Sequence, residues 1–327
     1  MPISRRTIVC SAFGCLAAKS TALSQQSKLW RIGHILPGSG GSHQKLSDAM
    51  RQSLDEIGLR EPDVFLITPN VEPRPDAIAD AIKPMLPQID LLITWGTVAT
   101  ATAKKVAPPS LPIVFLSVGD PVVIGLADSL SRPGGNMTGV TFEAAMETYG
   151  KRLQFLKELK PGLSRVAVLG ARNDPNIVPA ISALDRLASE YTVTLDKYQF
   201  EKSADLPNAF DRMREAKDDA LVVISGSLTF SLGREIAEFA NRYRFPSSGG
   251  FKETVAAGGL VSVGPDLPAM SRQGADYVRR IMRGALPGDL PIQQPIKYEV
   301  AINLKTAEML GMTVPPSMLV RADIVIE

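Results

Sequence analysis

Small polar residues follow the apolar runs of this sequence at five places, and their types indicate recognition of a small molecule. The five segments span residues 37–42, 95–97, 117–121, 171–176 and 225–229. Hydroxyl, amide, carboxylate and backbone N–H groups in such segments can orient a bound molecule by hydrogen bonding. We therefore predict a ligand site where these segments meet. Its candidate residues are Gly38, Ser39, Gly40, Trp95, Gly96, Thr97, Ser117, Gly119, Asp120, Asn173, Asp174, Asn176, Ser225, Ser227 and Thr229.

Each candidate also has a structural interpretation that the sequence leaves open. Thr97 could bind a ligand carboxylate at a helix N-terminus or simply cap that helix. Trp95 could stack on a ligand or seal the core. Asp120 could pair with a ligand ammonium or cap the next segment. The glycine-rich run at 38–42 and the Asn-Asp-Pro-Asn run at 173–176 could each line a site or form an ordinary turn.

The titratable residues do not form a catalytic or metal-binding set. His34 and His43 are the two histidines of the chain, and no cysteine or acidic cluster stands near them in the sequence. The glycine run at 38–42 lacks both the Gly-Lys-Ser/Thr of a phosphate-binding loop and the third glycine of a dinucleotide fingerprint. No nucleophile elbow is visible. We expect no enzymatic activity, no metal and no cofactor.

Alternating strands and helices must position the first three segments. Buried strands alternating with amphipathic helices indicate a parallel sheet, whose carboxyl strand ends share one edge. Strands are predicted over 29–36, 64–68, 91–94 and 112–118, and helices over 46–57, 76–82 and 98–106.

A second series of the same kind follows residue 138. The run 259–263 is predicted to return to the first lobe, and the run near Lys297 to cross back. The predicted fold is α/β, with two doubly wound parallel-sheet lobes. The N-terminal lobe comprises 28–140 plus about 256–290, and the C-terminal lobe 141–255 plus about 295–327. Strands of the second series are predicted over 165–169, 193–198 and 220–224, and helices over 144–160, 177–190, 206–216 and 232–243.

The composition suits two ordinary hydrophobic cores and gives no support to a nucleic-acid surface. The chain has 327 residues, of which 45% are hydrophobic and 21% charged, and its formal charge is +2. No stretch combines clustered Lys and Arg with aromatic residues, so nucleic acid is not expected as a partner.

The N-terminus has the layout of a signal peptide. Arg5 and Arg6 precede an apolar stretch at 7–18 that is too short to span a membrane, and small polar residues follow it. We predict that residues 1–24 direct export to the periplasm, by either the twin-arginine or the general route. Both cysteines of the chain fall within this segment, and lipidation at Cys15 is the alternative processing.

Several motifs, most of them rich in Gly, Pro, Asn and Asp, lie between residues 113 and 307. They are Ile-Val-Phe at 113–115 with Gly-Asp-Pro-Val at 119–122, Arg-Pro-Gly-Gly-Asn-Met-Thr-Gly-Val at 132–140, Ala-Ala-Gly-Gly-Leu at 256–260, Gly-Pro-Asp-Leu at 264–267, Gln-Pro at 294–295 and Ala-Ile-Asn-Leu-Lys-Thr-Ala at 301–307. Through these motifs the sequence resembles the ABC-transporter substrate-binding protein family that includes tryptophan- and tyrosine-type uptake receptors. That family is built on the type 1 periplasmic binding fold.

The resemblance implies two lobes joined by a three-crossing hinge, which close on a small ligand and then dock on a membrane permease. A monomer is expected. Phe142 and Phe251 fall near the implied crossings and could contact ligand or pack in the hinge. Members with amino-acid ligands often carry an Asp-Asn pair where this chain has Ser-Gly-Ser at 225–227, so the resemblance leaves the solute open.

The function predicted from these observations is an exported solute-binding receptor of an ABC importer. Its ligand would be small and polar or amino-acid-like, and hinge closure would bury it between the lobes. A periplasmic sensor module and an exported enzyme on the same fold are the alternatives.

Overall fold

Two α/β lobes, each built around its own sheet, make up the described part of the chain. The computed structural model describes residues 29–38, 41–142 and 145–327. The predicted signal peptide, with Cys15, and the candidates Ser39 and Gly40 lie outside these ranges.

The first lobe contains five parallel strands in the order β2-β1-β3-β4-β5. Its elements are β1 (Trp30–Ile35), α1 (Gly41–Glu56), β2 (Val64–Ile67), α2 (Pro75–Ile82), β3 (Leu91–Trp95), α3 (Thr97–Val106), β4 (Ile113–Val118) and β5 (Met137–Thr141).

Both faces of this sheet are covered, which explains why its central strands are almost continuously apolar. All five residues of β3 are buried. Alternate residues point to opposite faces, so Leu91 and Ile93 pack with α1 while Leu92 packs with α2 and α3. The doubly wound parallel architecture predicted for this lobe is confirmed.

The second lobe contains a seven-stranded sheet in the order β12-β11-β10-β9-β8-β6-β7. Strands β10 and β11 pair antiparallel, whereas the other neighbouring strands pair parallel. In chain order the elements after β5 are α4 (Ala145–Leu159), β6 (Arg165–Ala171), α5 (Ile177–Tyr191), β7 (Thr194–Phe200), α6 (Leu206–Ala216), β8 (Ala220–Val223), α7 (Ser227–Ser231), α8 (Gly233–Arg242), β9 (Ser247–Gly249), α9 (Lys252–Ala256), β10 (Val261–Pro265), α10 (Leu267–Met282), β11 (Tyr298–Asn303), α11 (Leu304–Met309), α12 (Pro316–Arg321) and β12 (Ile324–Ile326).

The structure corrects the first part of the assignment of residues 256–290 to the first lobe, as far as Pro265. Strand β10 pairs with β9 and β11, so it belongs to the second sheet. The chain returns to the first lobe only with α10, whose Met270 and Val278 pack with the α1 side of the first sheet. The return therefore falls between Pro265 and Leu267.

Three connections join the lobes within the described residues and their short gap at 143–144. The first leads from β5 to α4, the second from β10 to α10, and the third from α10 to β11. Backbone hydrogen bonds bind the third connection to the end of β5 and to the second connection. Gln293 N–H donates to Gly139 O at 3.0 Å, and Asp266 N–H donates to Lys297 O at 3.1 Å. The predicted three-crossing hinge is present.

Candidate functional site

A cavity lies between the two lobes, at the carboxyl ends of strands from both sheets. Including its open mouth, the space between its lining residues amounts to about 450 Å³. Its lining residues are Leu36, Pro37, His43, Leu46, Trp95, Gly96, Thr97, Ser117, Phe142 and Leu267 from the first lobe and its connections, and Gly226, Ser227, Phe230 and Phe251 from the second.

Aromatic rings from both lobes form one wall of this cavity. Phe251 packs edge-on against Phe230, with 5.1 Å between ring centroids, and lies 6.3 Å from Phe142. His43 of the first lobe meets Phe230 edge-on at 5.1 Å. Phe142 and Phe251 are both buried. Because Phe142 and His43 face Phe230 and Phe251 across the lobe boundary, these rings form part of the contact between lobes.

The Trp95 ring is held in the first-lobe wall by a buried hydrogen-bond chain. Trp95 Nε1–H donates to His34 Nε2 at 2.9 Å, and His34 Nδ1 lies 3.1 Å from Thr68 Oγ1. Since Nε2 accepts, the ring proton of a neutral His34 sits on Nδ1 and points to Thr68. Burial, aided by the positive charge of Arg51, lowers the pKa of His34 to about 3, so the imidazole is neutral at ordinary pH. His34 therefore orients Trp95 instead of serving as a metal ligand or general base.

Polar groups of the first lobe gather where α3 begins. Gly96 precedes the helix with a φ of 82°, a left-handed conformation that favours glycine. Thr97 is the first helical residue, and its Oγ1 accepts a hydrogen bond from Gly119 N–H at 3.1 Å. Its predicted role as N-cap was wrong, because Gly96 occupies that position. The first-turn N–H groups of α3 carry the positive end of the helix dipole at this cavity wall.

Ser117 reaches the same region through a bulge at the end of β4. The register with β5 shifts between Leu116 and Val118, and Ser117 has a φ of 56°. A left-handed conformation is uncommon for serine and is often found where a binding site constrains the backbone. The bulge brings Ser117 to the cavity wall.

Seven of the candidates from the sequence lie together in the central cavity. They come from separate strand ends in both lobes, as the predicted parallel sheets require. These residues are Trp95, Gly96, Thr97, Ser117, Phe142, Ser227 and Phe251.

Three candidates from the loop after β6 lie away from the central cavity. Asn173 and Asp174 line a separate outer cleft between the lobes. Asn176 is buried, and its Nδ2 donates to Ser225 O at 3.1 Å. Asn176 also meets Gly119 across the lobe boundary, because a Cβ on Gly119 would come within 2.8 Å of Asn176 Cγ.

The remaining described candidates have structural surroundings of their own. Ser225 and Thr229 line a cavity inside the second lobe, behind Phe251. Asp120 is exposed, and its Oδ1 accepts from Val122 N–H and Val123 N–H, so it caps the following turn. Gly38 lines a groove in the first lobe that shares Leu36 and His43 with the central cavity.

The sequence reasoning missed several apolar lining residues. Phe230 lies one helical turn after Ser227, so the pattern of α7 could have indicated it. His43 had been considered only for metal binding or catalysis, whereas it packs on Phe230. Pro37 and Gly226 were not named as candidates although they lie within the predicted segments 37–42 and 225–229. Leu36, Leu46 and Leu267 carry no sequence signal that separates them from core positions.

Two lobes joined by three connections, with a cavity at their facing strand ends, define a two-lobed binding protein. A family model for ABC transporter substrate binding proteins matches residues 32–326. The chain belongs to this family of solute-binding receptors.

Two relatives share sequence with much of the chain. The chain is 25% identical to a tyrosine-binding protein of Clostridioides difficile (strain R20291) over 223 residues. That match covers 68% of this chain but 63% of the relative, so the chain spans less than two thirds of that protein. A second relative, an uncharacterized protein of Rickettsia prowazekii (strain Madrid E), is 20% identical over 84% of both chains.

Solved structures share the fold closely. A conserved domain protein from Vibrio cholerae superposes with a TM-score of 0.83 at 25% identity. The ABC domain from Streptococcus pneumonia, solved in complex with L-Trp, superposes with a TM-score of 0.84 at 23% identity. Both alignments cover 91% of this chain and 100% of the other. The predicted type 1 periplasmic binding fold is confirmed.

Two further properties concern residues 29–38, 41–142 and 145–327, the part of the chain that the structure describes. No helix in these ranges has both the length and the apolar character needed to cross a bilayer. No three His, Cys, Asp or Glu side chains there are grouped so that they could hold a metal ion.

Proposed function

We propose that this receptor binds a small solute with a flat apolar body and an anionic or strongly polar end. The observation that carries the proposal is the central cavity, in which aromatic rings from both lobes face a helix N-terminus of the first lobe. An aromatic amino acid is the first candidate, followed by an aromatic carboxylate.

The rings support the apolar part of this proposal. Trp95, Phe142, Phe230 and Phe251 supply flat surfaces, and Leu46 and Leu267 fill the space beside them. Aromatic pairs add about 0.5–1.5 kcal/mol beyond simple area burial when they stack edge-on or offset. A flat ring held between Trp95 and the second-lobe phenylalanines would use this geometry.

The first turn of α3 supports the polar part. A carboxylate near Thr97 would meet first-turn N–H groups that have no partner within the helix, together with the favourable end of the dipole. Ser117 and Ser227 add hydroxyl groups to the same cavity. Each hydrogen bond to a charged group contributes about 1.5–3 kcal/mol, and a wrong solute that covers these groups without bonding to them would leave them unpaired.

For an amino-acid ammonium group, the second lobe offers an acidic residue that contacts the cavity-lining Gly226 from the adjacent outer cleft. Asp174 is buried and lies against Gly226, because a Cβ on Gly226 would be 3.2 Å from Asp174 Cγ. The chain carries Ser-Gly-Ser at 225–227 where receptors with amino-acid ligands often carry an Asp-Asn pair, so Asp174 is our candidate for the missing carboxylate. The tyrosine-binding relative and the L-Trp complex support aromatic amino acids as the first compounds to test.

Closure of the lobes is the mechanism that we propose for binding. A solute that touches both cavity walls favours the closed state by its differential affinity for that state. The closed receptor then presents a solute-specific surface to a membrane permease. Small-angle scattering and permease reconstitution would address these two steps separately.

The test of the proposed ligand class is a thermal denaturation panel on the full chain. A compound at one hundred times its dissociation constant stabilises the folded state by about 2.7 kcal/mol. We expect L-Trp, L-Tyr or an aromatic carboxylate to raise the melting temperature, and sugars and nucleosides to leave it unchanged. A shift with sugars alone would contradict the proposed class.

We also propose that the protein returns its solute unchanged. Family membership and the lining of the central cavity support binding over turnover. Mass spectrometry of a compound after prolonged incubation with the protein would reveal any conversion, and a product whose yield scales with protein concentration would contradict this proposal.

Export to the periplasm is the location that we propose, with cleavage near residue 24. The order of Arg5, Arg6 and a short apolar stretch supports an export signal. Intact mass of the protein recovered from the producing cell would show the processed N-terminus. A lipid mass at Cys15 would instead identify a membrane-anchored receptor, and an unprocessed chain would contradict export.

A further inference from the structure

Two glycines of the first lobe face polar side chains of the second lobe across the cleft. Gly119 follows β4 and faces Asn176, and Gly96 precedes α3 and faces Ser227. A Cβ added to Gly119 would lie 2.8 Å from Asn176 Cγ and nearer still to Asn176 Oδ1. Real Cβ atoms do not approach other heavy atoms this closely, so the closed lobes leave room for no more than a hydrogen at position 119.

The backbone itself does not require glycine at position 119. Gly96 has a φ of 82°, so an added side chain there would be strained whatever the surroundings. The φ of Gly119 lies outside the left-handed region, and L-residues adopt such backbone conformations freely. The approach of the second lobe, rather than local conformation, therefore accounts for the glycine.

Neither partner in this contact can easily move aside. Asn176 is 2% exposed, its backbone N–H donates to Asp174 Oδ1 at 3.0 Å, and its Nδ2 donates to Ser225 O at 3.1 Å. Gly119 N–H donates to Thr97 Oγ1 at 3.1 Å. Each side is thus anchored within its own lobe. The steric clash caused by a larger residue at 119 would therefore be relieved mainly by separation of the lobes.

We propose that Gly119 and Asn176 are positioning residues that set how closely the lobes approach and, through that, the affinity for the solute. Neither residue lines the central cavity. The inference rests on the proposed function in one respect, since it assumes that solute binding draws on lobe closure.

The geometry at this contact predicts a specific compensating pair. Gly119→Ala alone places a methyl group against the Asn176 amide. With Asn176→Ala added, the nearest side-chain atom of Asn176 that remains is its Cβ, 3.4 Å from the new methyl group. That distance is ordinary van der Waals contact, so the double variant regains room to close.

Closure can be measured without any solute by disulfide cross-linking. A Cβ added to Gly96 would lie 3.7 Å from Ser227 Cβ, which falls in the range of disulfide-bonded pairs. The full chain with Cys10→Ser and Cys15→Ser has no other thiol, so Gly96→Cys with Ser227→Cys provides a reporter pair common to every variant. The backbone strain that a side chain introduces at position 96 is then the same in the parent and in each variant, so it does not affect their comparison. The rate of disulfide formation under fixed oxidant reports how often the lobes close.

We expect Gly119→Ala to slow cross-linking by about tenfold or more, as overpacking of a rigid contact implies. Adding Asn176→Ala should return the rate to near that of the parent. An unchanged rate for Gly119→Ala would overturn the proposal. So would a slow rate that Asn176→Ala does not restore, because the obstruction would then not be at this contact.

Gly162→Ala is the matched control, because nothing lies within 4 Å of a Cβ at that position. It should cross-link at the parent rate. Melting temperatures of all variants should agree closely, since each lobe retains its own core. The reporter needs no solute, so failure of this proposal is distinguishable from failure of the proposed ligand class, which would appear only in the denaturation panel.

Discussion

The two walls of the central cavity are fixed in different ways. In the first lobe, Trp95 and Thr97 are fixed by directional hydrogen bonds to His34 and Gly119. In the second lobe, Phe230 and Phe251 are fixed by ring packing. Hydrogen bonds determine orientation, whereas packed rings determine shape and the area removed from water. We infer that the first lobe orients the solute and the second lobe covers it.

This difference predicts different consequences for mutations in the two walls. Removing a ring should weaken binding of every solute and also destabilise the protein, because it opens a cavity at a buried contact. Removing a hydrogen bond should have a smaller effect that depends on the polar end of the solute. The following variants test this contrast.

Truncating Phe251 should have the largest effect at neutral pH. The side chain is 6% exposed and contacts Phe142 and Phe230, so Phe251→Ala should lower the free energy of unfolding by about 3 kcal/mol or more. Denaturant titration measures this loss, and titration of the same variant measures solute affinity. Phe65→Ala is the control, because Phe65 is 48% exposed and far less should be lost. Equal losses for the two variants would refute the account of the second-lobe wall.

Acidification should weaken the first-lobe wall through His34. The folded-state pKa of this residue is about 3, below its ordinary value of 6.5, so the unfolded chain binds the extra proton first as the pH falls. Stability contributed by neutral His34 is therefore fully present above pH 6.5 and falls by about 1.4 kcal/mol per pH unit toward pH 3.

His34→Gln isolates that contribution, because a neutral amide can accept from Trp95 Nε1–H and does not titrate. The difference in free energy of unfolding between the wild type and His34→Gln should change steadily as the pH falls from 6.5 to 4. Above pH 7 this difference should be constant. Denaturant titration at each pH measures it. Parallel profiles across the acidic range would show that His34 is not buried and neutral as described.

Changing Thr97 should have the smallest effect. Thr97→Val removes the acceptor of the Gly119 N–H at nearly constant volume and should cost about 1 kcal/mol of stability. Affinity for a solute with a carboxylate should fall more than affinity for its amide analogue, whereas Thr97→Ser should restore both. Calorimetric titration of the two compounds measures this selectivity. Equal losses for both compounds would place the carboxylate elsewhere.

The sequence predicted most of the fold because its local patterns were strong. Continuous apolar runs such as β3 and β4, with helices between them, indicated parallel sheets covered on both faces. The glycine and proline motifs near the crossings indicated the hinge. These features depend on neighbouring residues, so the sequence alone reveals them.

The placement of β10 could not be predicted in this way. The apolar residues of β10 would suit either sheet. Its place in the second sheet depends on pairing with β9 and β11, which lie up to about forty residues away. Gly264 allows this pairing, because a Cβ there would come within 2.6 Å of Gly250 C. Such a close backbone approach involves residues that are distant in sequence.

The polar part of the site was easier to predict than the apolar part. Trp95 ends a strand, and Thr97 and Ser227 lie shortly after strands, where parallel sheets bind ligands, so their positions were informative. Phe230 and Leu267 resemble core residues in sequence, and their role depends on the approach of the opposite lobe. The contact of Asn176 with Gly119 also exists only when the lobes meet.

The central claim is that the two lobes close on the solute. It is tested most directly by small-angle X-ray scattering of the full chain, measured with and without the compound that gives the largest melting shift. If the solute binds both walls, saturation should reduce the radius of gyration of the wild-type protein. Phe251→Ala should show no such reduction at the same compound concentration. Stoichiometric binding with an unchanged radius of gyration, from an open unliganded state, would contradict closure of the two lobes on the solute.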